Sequence, residues 1–169
     1  MKILVTVGSL PYPFDRVVRA MDRWAAAHPE HEVAMQIGYS THGPAHAREW
    51  FDFAPFSHFQ ELFRAADVVV AHGSAGPILE ARRSGIPLVQ VPRQQRHGEC
   101  YNDHQVEICE RIGGESAMHE LVLDAADLEP AVERALAKRR EGRRYEPHLL
   151  KQRLVATIAA FVERVARDQ

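Results

Sequence analysis

The sequence predicts an α/β domain built on a doubly wound parallel sheet, and three observations carry that expectation. Short β-branched runs alternate with segments of helical periodicity along the chain. Apart from Asp67 and Gln90, the runs at 67–71 and 88–91 are apolar without alternation, as strands buried on both faces are. Glycines and polar side chains gather in the loops that follow these runs, where an open parallel sheet holds its ligand. Strands joined through helices imply right-handed crossovers and a single parallel sheet.

The elements follow in order. Lys2 to Val7 is an apolar run closed by Gly8, and from Asp15 the apolar positions 17, 18, 21, 24 and 25 have helical spacing. Val33 to Ile37 forms a second strand, and Glu49 to Phe56 a weaker third, with aromatic residues at alternating positions. Ser57 and Gln60 fit a capping box, which places a helix start at Ser57. Asp67 to Ala71 reads as a central strand; the glycine-rich turn His72 to Gly76 and a helix stopped by Gly85 follow it. Leu88 to Val91 is the next strand, and the polar segment Pro92 to Asn102 is long enough to suggest more than a connection. Asp103 is an N-cap candidate for a helix ending at Gly113 and Gly114. A weak strand at Ser116 to His119 precedes helices at 127–140 and 147–167.

Composition bounds the function. The chain has 169 residues, 46% of them apolar, with 21 basic and 23 acidic side chains. A chain of that size buries roughly 70% of its unfolded surface, so one domain spanning 1–169 is expected. Near-neutral charge argues against a nucleic-acid partner. The longest apolar run near the C-terminus, Leu154 to Val162, is about half of the ~20 residues that span a bilayer, and the N-terminus has no signal-peptide core; the expected location is the cytoplasm. Cys100 and Cys109 form neither a CxxC pair nor a disulfide framework, and the histidines have no metal-ligand spacing, so no metal is expected. No Gly-x-Ser-x-Gly elbow and no P-loop lysine is present.

The strongest local signal is residues 68 to 80, Val-Val-Val-Ala-His-Gly-Ser-Ala-Gly-Pro-Ile-Leu-Glu. Gly73 and Gly76 allow backbone to approach a ligand, and the helix that follows offers unpaired N–H groups and a positive dipole end to an anion. Glu80 lies one turn into that helix and leans back toward its N-terminus, where a carboxylate can accept from sugar hydroxyls. A tight strand-to-helix turn with Glu80 on a solvated face is the alternative reading. Arg93, Arg96 and His97 in the long loop are candidates to neutralise an anion, with plain solvent exposure as the alternative.

The pattern His72 to Glu80, then Gly85-Ile-Pro-Leu-Val-Gln-Val-Pro92, then Asp103-His-Gln105-Val-Glu107 resembles the family 28 C-terminal domain, the donor-binding half of GT-B glycosyltransferases. Val5-Thr-Val-Gly-Ser9, Pro13-Phe-Asp-Arg16 and Gln36-Ile-Gly38 with Ser40 narrow the likeness to small stand-alone subunits. These are similar to the cytosolic catalytic half of the two-part UDP-GlcNAc transferase of lipid-linked oligosaccharide synthesis, and to bacterial exopolysaccharide transferase subunits.

That resemblance implies a Rossmann-like sheet and a site. His72 would contact a diphosphate, with Gly73, Ser74 and the amides of Ala75 and Gly76 beside it. Glu80 would hold ribose hydroxyls, Asn102 to Gln105, including Asp103 and His104, would lie at the transferred sugar, and Gly8 and Ser9 would face the phosphates. Phe56 resembles the residue whose backbone meets uracil in the peptidoglycan GlcNAc transferase. Pro77 departs from the pattern, because relatives often carry Ser or Thr there.

The implied chemistry is inverting transfer from a UDP-sugar without metal or other cofactor. The acceptor would be a polyprenyl-diphosphate-linked sugar, held by a membrane-associated acceptor-binding subunit that supplies the base and recruits this chain to the inner membrane face. The C-terminal part is basic, with 10 Lys and Arg against 5 Asp and Glu from residue 130 onward, and the apolar stripe Leu150, Leu154, Ile158, Phe161 and Val165 makes helix 147–167 a docking candidate. A non-catalytic nucleotide-sugar-binding subunit is the alternative, and the donor sugar is not specified by these motifs.

Overall fold

The computed structural model describes residues 1–113 and 116–143. Its elements are β1 (Lys2–Thr6), α1 (Asp15–Ala27), β2 (Glu32–Gln36), β3 (Glu49–Phe51), α2 (Phe56–Ala65), β4 (Val68–His72), α3 (Ala75–Ser84), β5 (Leu88–Val91), α4 (His104–Gly113), β6 (His119–Leu121) and α5 (Leu128–Arg140), with short 3-10 turns at Gln95–His97 and Ala125–Asp127. The strands form one six-stranded sheet in the order β3-β2-β1-β4-β5-β6. Every neighbouring pair is parallel. The chain steps outward from β1 to β3, then returns to the far side of β1 with β4. The strand order therefore reverses between β1 and β4, and the crevice of a doubly wound sheet opens beyond their carboxyl ends.

Both faces of the sheet are covered, which is why the buried positions of its central strands are apolar apart from Thr6 and Gln90. On one face Val17, Val18, Met21 and Trp24 of α1 and Leu128, Val132, Ala135 and Leu136 of α5 pack on Ile3, Val5, Val33, Val68, Val70 and Val89. On the other, Phe63 of α2 and Ile78 and Ala81 of α3 pack on Leu4, Val69, Ala71 and Leu88. Gly85 ends α3 in the left-handed region at φ 68°. Among the described residues no helix is long and apolar enough to cross a membrane. The expected helix at 147–167 lies outside the described residues.

Three local expectations need correction. Helix α2 opens at Phe56, and Pro55, at φ −54° and ψ 145°, takes the flanking position that Ser57 was expected to fill, so no side-chain cap forms. The last strand begins only at His119, because residues 116–118 turn first: the His119 N–H donates to the Ser116 carbonyl and the Met118 N–H to Ser116 Oγ. Asp103 precedes α4 as expected, but its Oδ1 accepts from the Gln95 N–H at 2.8 Å and so folds the long loop back on itself.

Arg93 is the largest correction. It was expected in an exposed loop as an anion-binding cation, and it is fully buried. Its Nη1 donates to the carbonyls of Tyr12 (2.9 Å), Pro13 (3.4 Å) and Glu99 (3.0 Å), and its Nη2 to that of Val7 (3.0 Å). The guanidinium lies 4.6 Å from the centre of the buried Phe14 ring. Burial lowers its pKa to about 10 against the opposing pull of Glu99, so it stays charged at neutral pH. Glu99 is itself held by Arg16, at 2.6 Å from Nε and 3.2 Å from Nη2, and by the Gln94 N–H at 3.0 Å. A charge removed from water needs such a set of partners. With this cage the loop after β1 and the loop after β5 become one unit.

Buried His119 is a second unusual group, with no hydrogen-bond partner on either ring nitrogen. Burial pushes its pKa down to about 4, with Arg82 and Lys138 adding to the effect and Glu120 opposing it.

Two measurements follow. Arg93→Met leaves buried carbonyls unpaired and is expected to cost about 3–5 kcal/mol in urea unfolding; Arg93→Lys does not restore stability, because a compact ammonium cannot span the same carbonyls as the planar fork. Between pH 6.5 and 4 the unfolded chain protonates His119 and the folded one does not, so stability falls as pH drops through that window. His119→Leu is expected to reduce that loss by about 3 kcal/mol, read from unfolding midpoints at pH 7 and pH 4.

Candidate functional site

The site is built where β1 and β4 end. Gly8 follows β1 in the left-handed region at φ 78°, and a Cβ there would lie 2.6 Å from His72 Nε2, so only glycine fits between the two loops. Its position is set by Gln36, the last residue of β2, whose buried amide uses all four of its hydrogen bonds. Gln36 Oε1 accepts from Thr6 Oγ1 at 2.8 Å and the Gly8 N–H at 3.0 Å, and its Nε2 donates to the carbonyls of Gly8 (3.0 Å) and Asp52 (2.9 Å). In the sequence, Gln36 stands out only as part of the Gln36-Ile-Gly38 motif. A polar amide at the carboxyl end of a buried strand was the available signal.

His72 ends β4 and is half-buried. Its Nδ1 lies 3.4 Å from the Thr6 carbonyl and its Nε2 2.8 Å from Ser74 Oγ. A carbonyl only accepts, so Nδ1 carries the ring proton and Nε2 accepts from the Ser74 hydroxyl. Burial lowers the His72 pKa to about 4, opposed by the bond to Thr6 and assisted by the Arg93 charge. The ring is therefore neutral at pH 7.

Ser74 occupies the N-cap position of α3 at φ −116° and ψ 162°, yet makes no side-chain cap, because its hydroxyl is turned to His72. The Ser74 N–H is used by the His72 carbonyl. Ala75 and Gly76 then open the helix, and buried Pro77 fills the first turn, where a missing N–H costs no helical bond. What remains is a ten-residue helix whose first amides and dipole end have no capping side chain.

These groups open into a cleft of about 470 Å³. Thr6, Gly8, Ser9 and Gln36 line one side and His72, Gly76, Pro77 and Glu80 the other, while Phe51, Phe53, Phe56, Phe59 and Phe63 supply an aromatic wall from β3, α2 and the segment between them. Phe56 is 72% exposed at the mouth and Phe53 meets Tyr39 edge-to-face at 5.2 Å. Glu80 reaches the cleft, its two oxygens each 2.8 Å from Arg83 Nη2.

Of the remaining expected residues, Gly73 and Gln105 are joined to this site structurally. The Gln105 Oε1 accepts from the backbone N–H of Gly73 and of Arg93, each at 3.0 Å, which ties the start of α4 to the ends of β4 and β5. A Cβ on Gly73 would lie 2.7 Å from Cys109 Sγ and 2.9 Å from Pro92 Cα, so this glycine serves packing. Cys109 is buried, and burial raises its thiol pKa to about 12, which keeps it protonated.

The structure does not bring Asn102, Asp103, His104 or His97 into the cleft lining. Asn102 Oδ1 accepts from the His104 N–H, His104 Nδ1 lies 3.2 Å from Glu107 Oε2, and His97 is exposed on the 3-10 turn. Among the described residues no group of His, Cys, Asp or Glu could hold a metal ion.

A comparison with curated protein sequences returned no match. Among solved structures, the "glycotransferase of kitacinnamycin" is 24% identical with a TM-score of 0.57 over 83% of this chain and 37% of its own. The calicheamicin glycosyltransferase CalG4 is 23% identical with a TM-score of 0.56 over 98% and 43%, respectively. The glycosyltransferase VinC in complex with dTDP is 20% identical with a TM-score of 0.50 over 81% and 33%. The chain spans less than half the length of each of these proteins, and the likeness is one of fold. The family model for the glycosyltransferase family 28 C-terminal domain matches residues 2–156, nearly the whole of the sheet and its helices, and the chain belongs to that family.

Proposed function

We propose that this chain is the donor-binding half of a metal-independent glycosyltransferase that takes a UDP-sugar. The observation that carries the reading is the uncapped N-terminus of α3, set across a cleft of about 470 Å³ from the Gly8 loop with Glu80 one turn behind it. A diphosphate at that helix end meets the Ala75 and Gly76 amides and the dipole, without a cation. The ribose then falls within reach of Glu80, and the base lies along the aromatic wall near Phe53 and Phe56. VinC, a structural relative, is described in complex with a nucleoside diphosphate, which supports this class of ligand.

The reaction is an inverting displacement. An acceptor hydroxyl attacks the anomeric carbon from the face opposite the diphosphate, and the bond from that carbon to the diphosphate oxygen breaks with its electron pair on the departing UDP. The developing charge is stabilised by amides already aimed at it. The described residues that line the cleft offer one carboxylate, Glu80, already paired with Arg83. The base and the acceptor site come from a second, membrane-associated subunit, and the acceptor is a polyprenyl-diphosphate-linked sugar.

Calorimetry of the isolated chain with UDP in excess chelator tests the donor site, and metal-independent binding is the expected outcome. Binding that appears only with magnesium or manganese overturns it. Glu80→Ala should weaken UDP by about 1.5–3 kcal/mol through the loss of charge-assisted hydrogen bonds; unchanged affinity removes Glu80 from the site. Gln105→Ala should weaken UDP and a UDP-sugar together, because its carbonyl ties Gly73 to Arg93; a loss confined to the UDP-sugar would place its amide on the sugar.

A further inference from the structure

We propose that anion binding at the N-terminus of α3 is coupled to uptake of one proton by His72, which reverses the hydrogen bond between that ring and Ser74. This inference rests on the donor-cleft reading and adds a regulatory property to it.

The argument begins with the direction of two hydrogen bonds. The Thr6 carbonyl fixes the proton on Nδ1, and the bare Nε2 takes the Ser74 hydroxyl proton at 2.8 Å. In that state Ser74 presents only oxygen lone pairs to the helix end where an anion would sit. Lone pairs facing a phosphate oxygen repel it, so the empty arrangement suits the protein and opposes the ligand.

Protonation of Nε2 reverses the polarity in one step. Nδ1–H keeps its bond to the Thr6 carbonyl, the new Nε2–H donates to Ser74 Oγ, and the hydroxyl proton is released to donate to the anion. The ring also gains a positive charge beside the phosphates. No backbone change is needed, and Gly8 keeps the ring in place because no larger residue fits against it.

The surroundings leave His72 as the group that responds. Arg93, behind the site at the end of β5, opposes protonation, and burial opposes it further, so the empty site holds a neutral ring. Cys109 of α4, behind Gly73, stays protonated and uncharged. β1 offers a carbonyl, and α2 lines the cleft with Phe56, Phe59, Gln60 and Phe63, none of them ionisable. Glu80 of α3 is the other titratable group of the cleft. A diphosphate carrying two negative charges in a half-enclosed site offsets the opposition of Arg93 and raises the pKa of the ring. The complex then binds more protons than the free chain, and affinity rises as pH falls.

The experiment uses UDP-glucose as probe, because a diphosphate diester has no proton that titrates near neutrality, whereas a terminal phosphate loses one near pH ~6. Calorimetry at pH 5.5 in buffers of different ionisation enthalpy reads the protons taken up directly. At least about half a proton is expected, with binding about tenfold tighter at pH 5 than at pH 7.5. In Glu80→Gln the uptake persists at whatever affinity remains; in His72→Gln it disappears. Circular dichroism checks that the variants fold, and the buffer series on the unaltered chain shows whether any proton is taken up. Binding with no proton uptake overturns the inference and leaves the donor cleft standing, as does uptake that survives in His72→Gln. Absence of UDP-glucose binding at every pH overturns the donor-cleft reading instead.

Discussion

The buried guanidinium of Arg93 is the constraint on which the site depends. A sheet of parallel strands fixes where its strands end, but not how the loops beyond them lie. Here one planar cation collects carbonyls from both sides of the switch point, Val7, Tyr12 and Pro13 from the first loop and Glu99 from the fifth. The Arg16 to Glu99 pair completes the cage around Phe14. Gln36 performs a similar office with a neutral amide, holding Gly8 from both its N–H and its carbonyl. The Gly8 loop is thus fixed at its base by Gln36 and on its far side by Arg93. The cleft opposite α3 inherits its shape from those bonds, and the hydrogen bonds of both side chains go to the protein's own backbone and Thr6.

Most of the fold was legible in the sequence, for a physical reason. Val68 to Ala71 is apolar throughout, and Leu88 to Val91 is so except for Gln90, because helices cover both faces of the sheet there, and burial of that kind leaves a mark in composition. Gly85 was legible as a helix stop because a left-handed residue selects glycine. Ends of elements were less so. Ser57 and Gln60 satisfy the letter of a capping box, but Pro55 fixes the backbone one residue earlier and takes the position first.

The site was legible in its backbone and less so in its side chains. His72, Gly76 and Pro77 line the cleft, whereas Gly73 packs against Pro92 and Cys109. Arg93 was not legible, because an arginine in a polar segment looks the same in sequence whether it faces water or the interior. Its burial follows from long-range partners 80 to 86 residues away in sequence, Val7, Tyr12 and Pro13, which no local pattern encodes. The polar run from Asn102 to Gln105 divides in the same way. Gln105 turns inward to two backbone amides, while His104 pairs with Glu107 in solvent.

Among the described residues the sheet is open, and its two outer strands differ from those inside. β3 and β6 are three residues each, whereas the inner strands have four or five. An unpaired strand presents a row of free amides and carbonyls that can template a foreign chain. Three residues make that row too short to hold an intruding strand in register, and Arg48 and Glu32 set an ion pair at the start of the β3 side. Brevity at the borders, instead of closure into a barrel, is the device by which so apolar a parallel sheet limits templating at its margins.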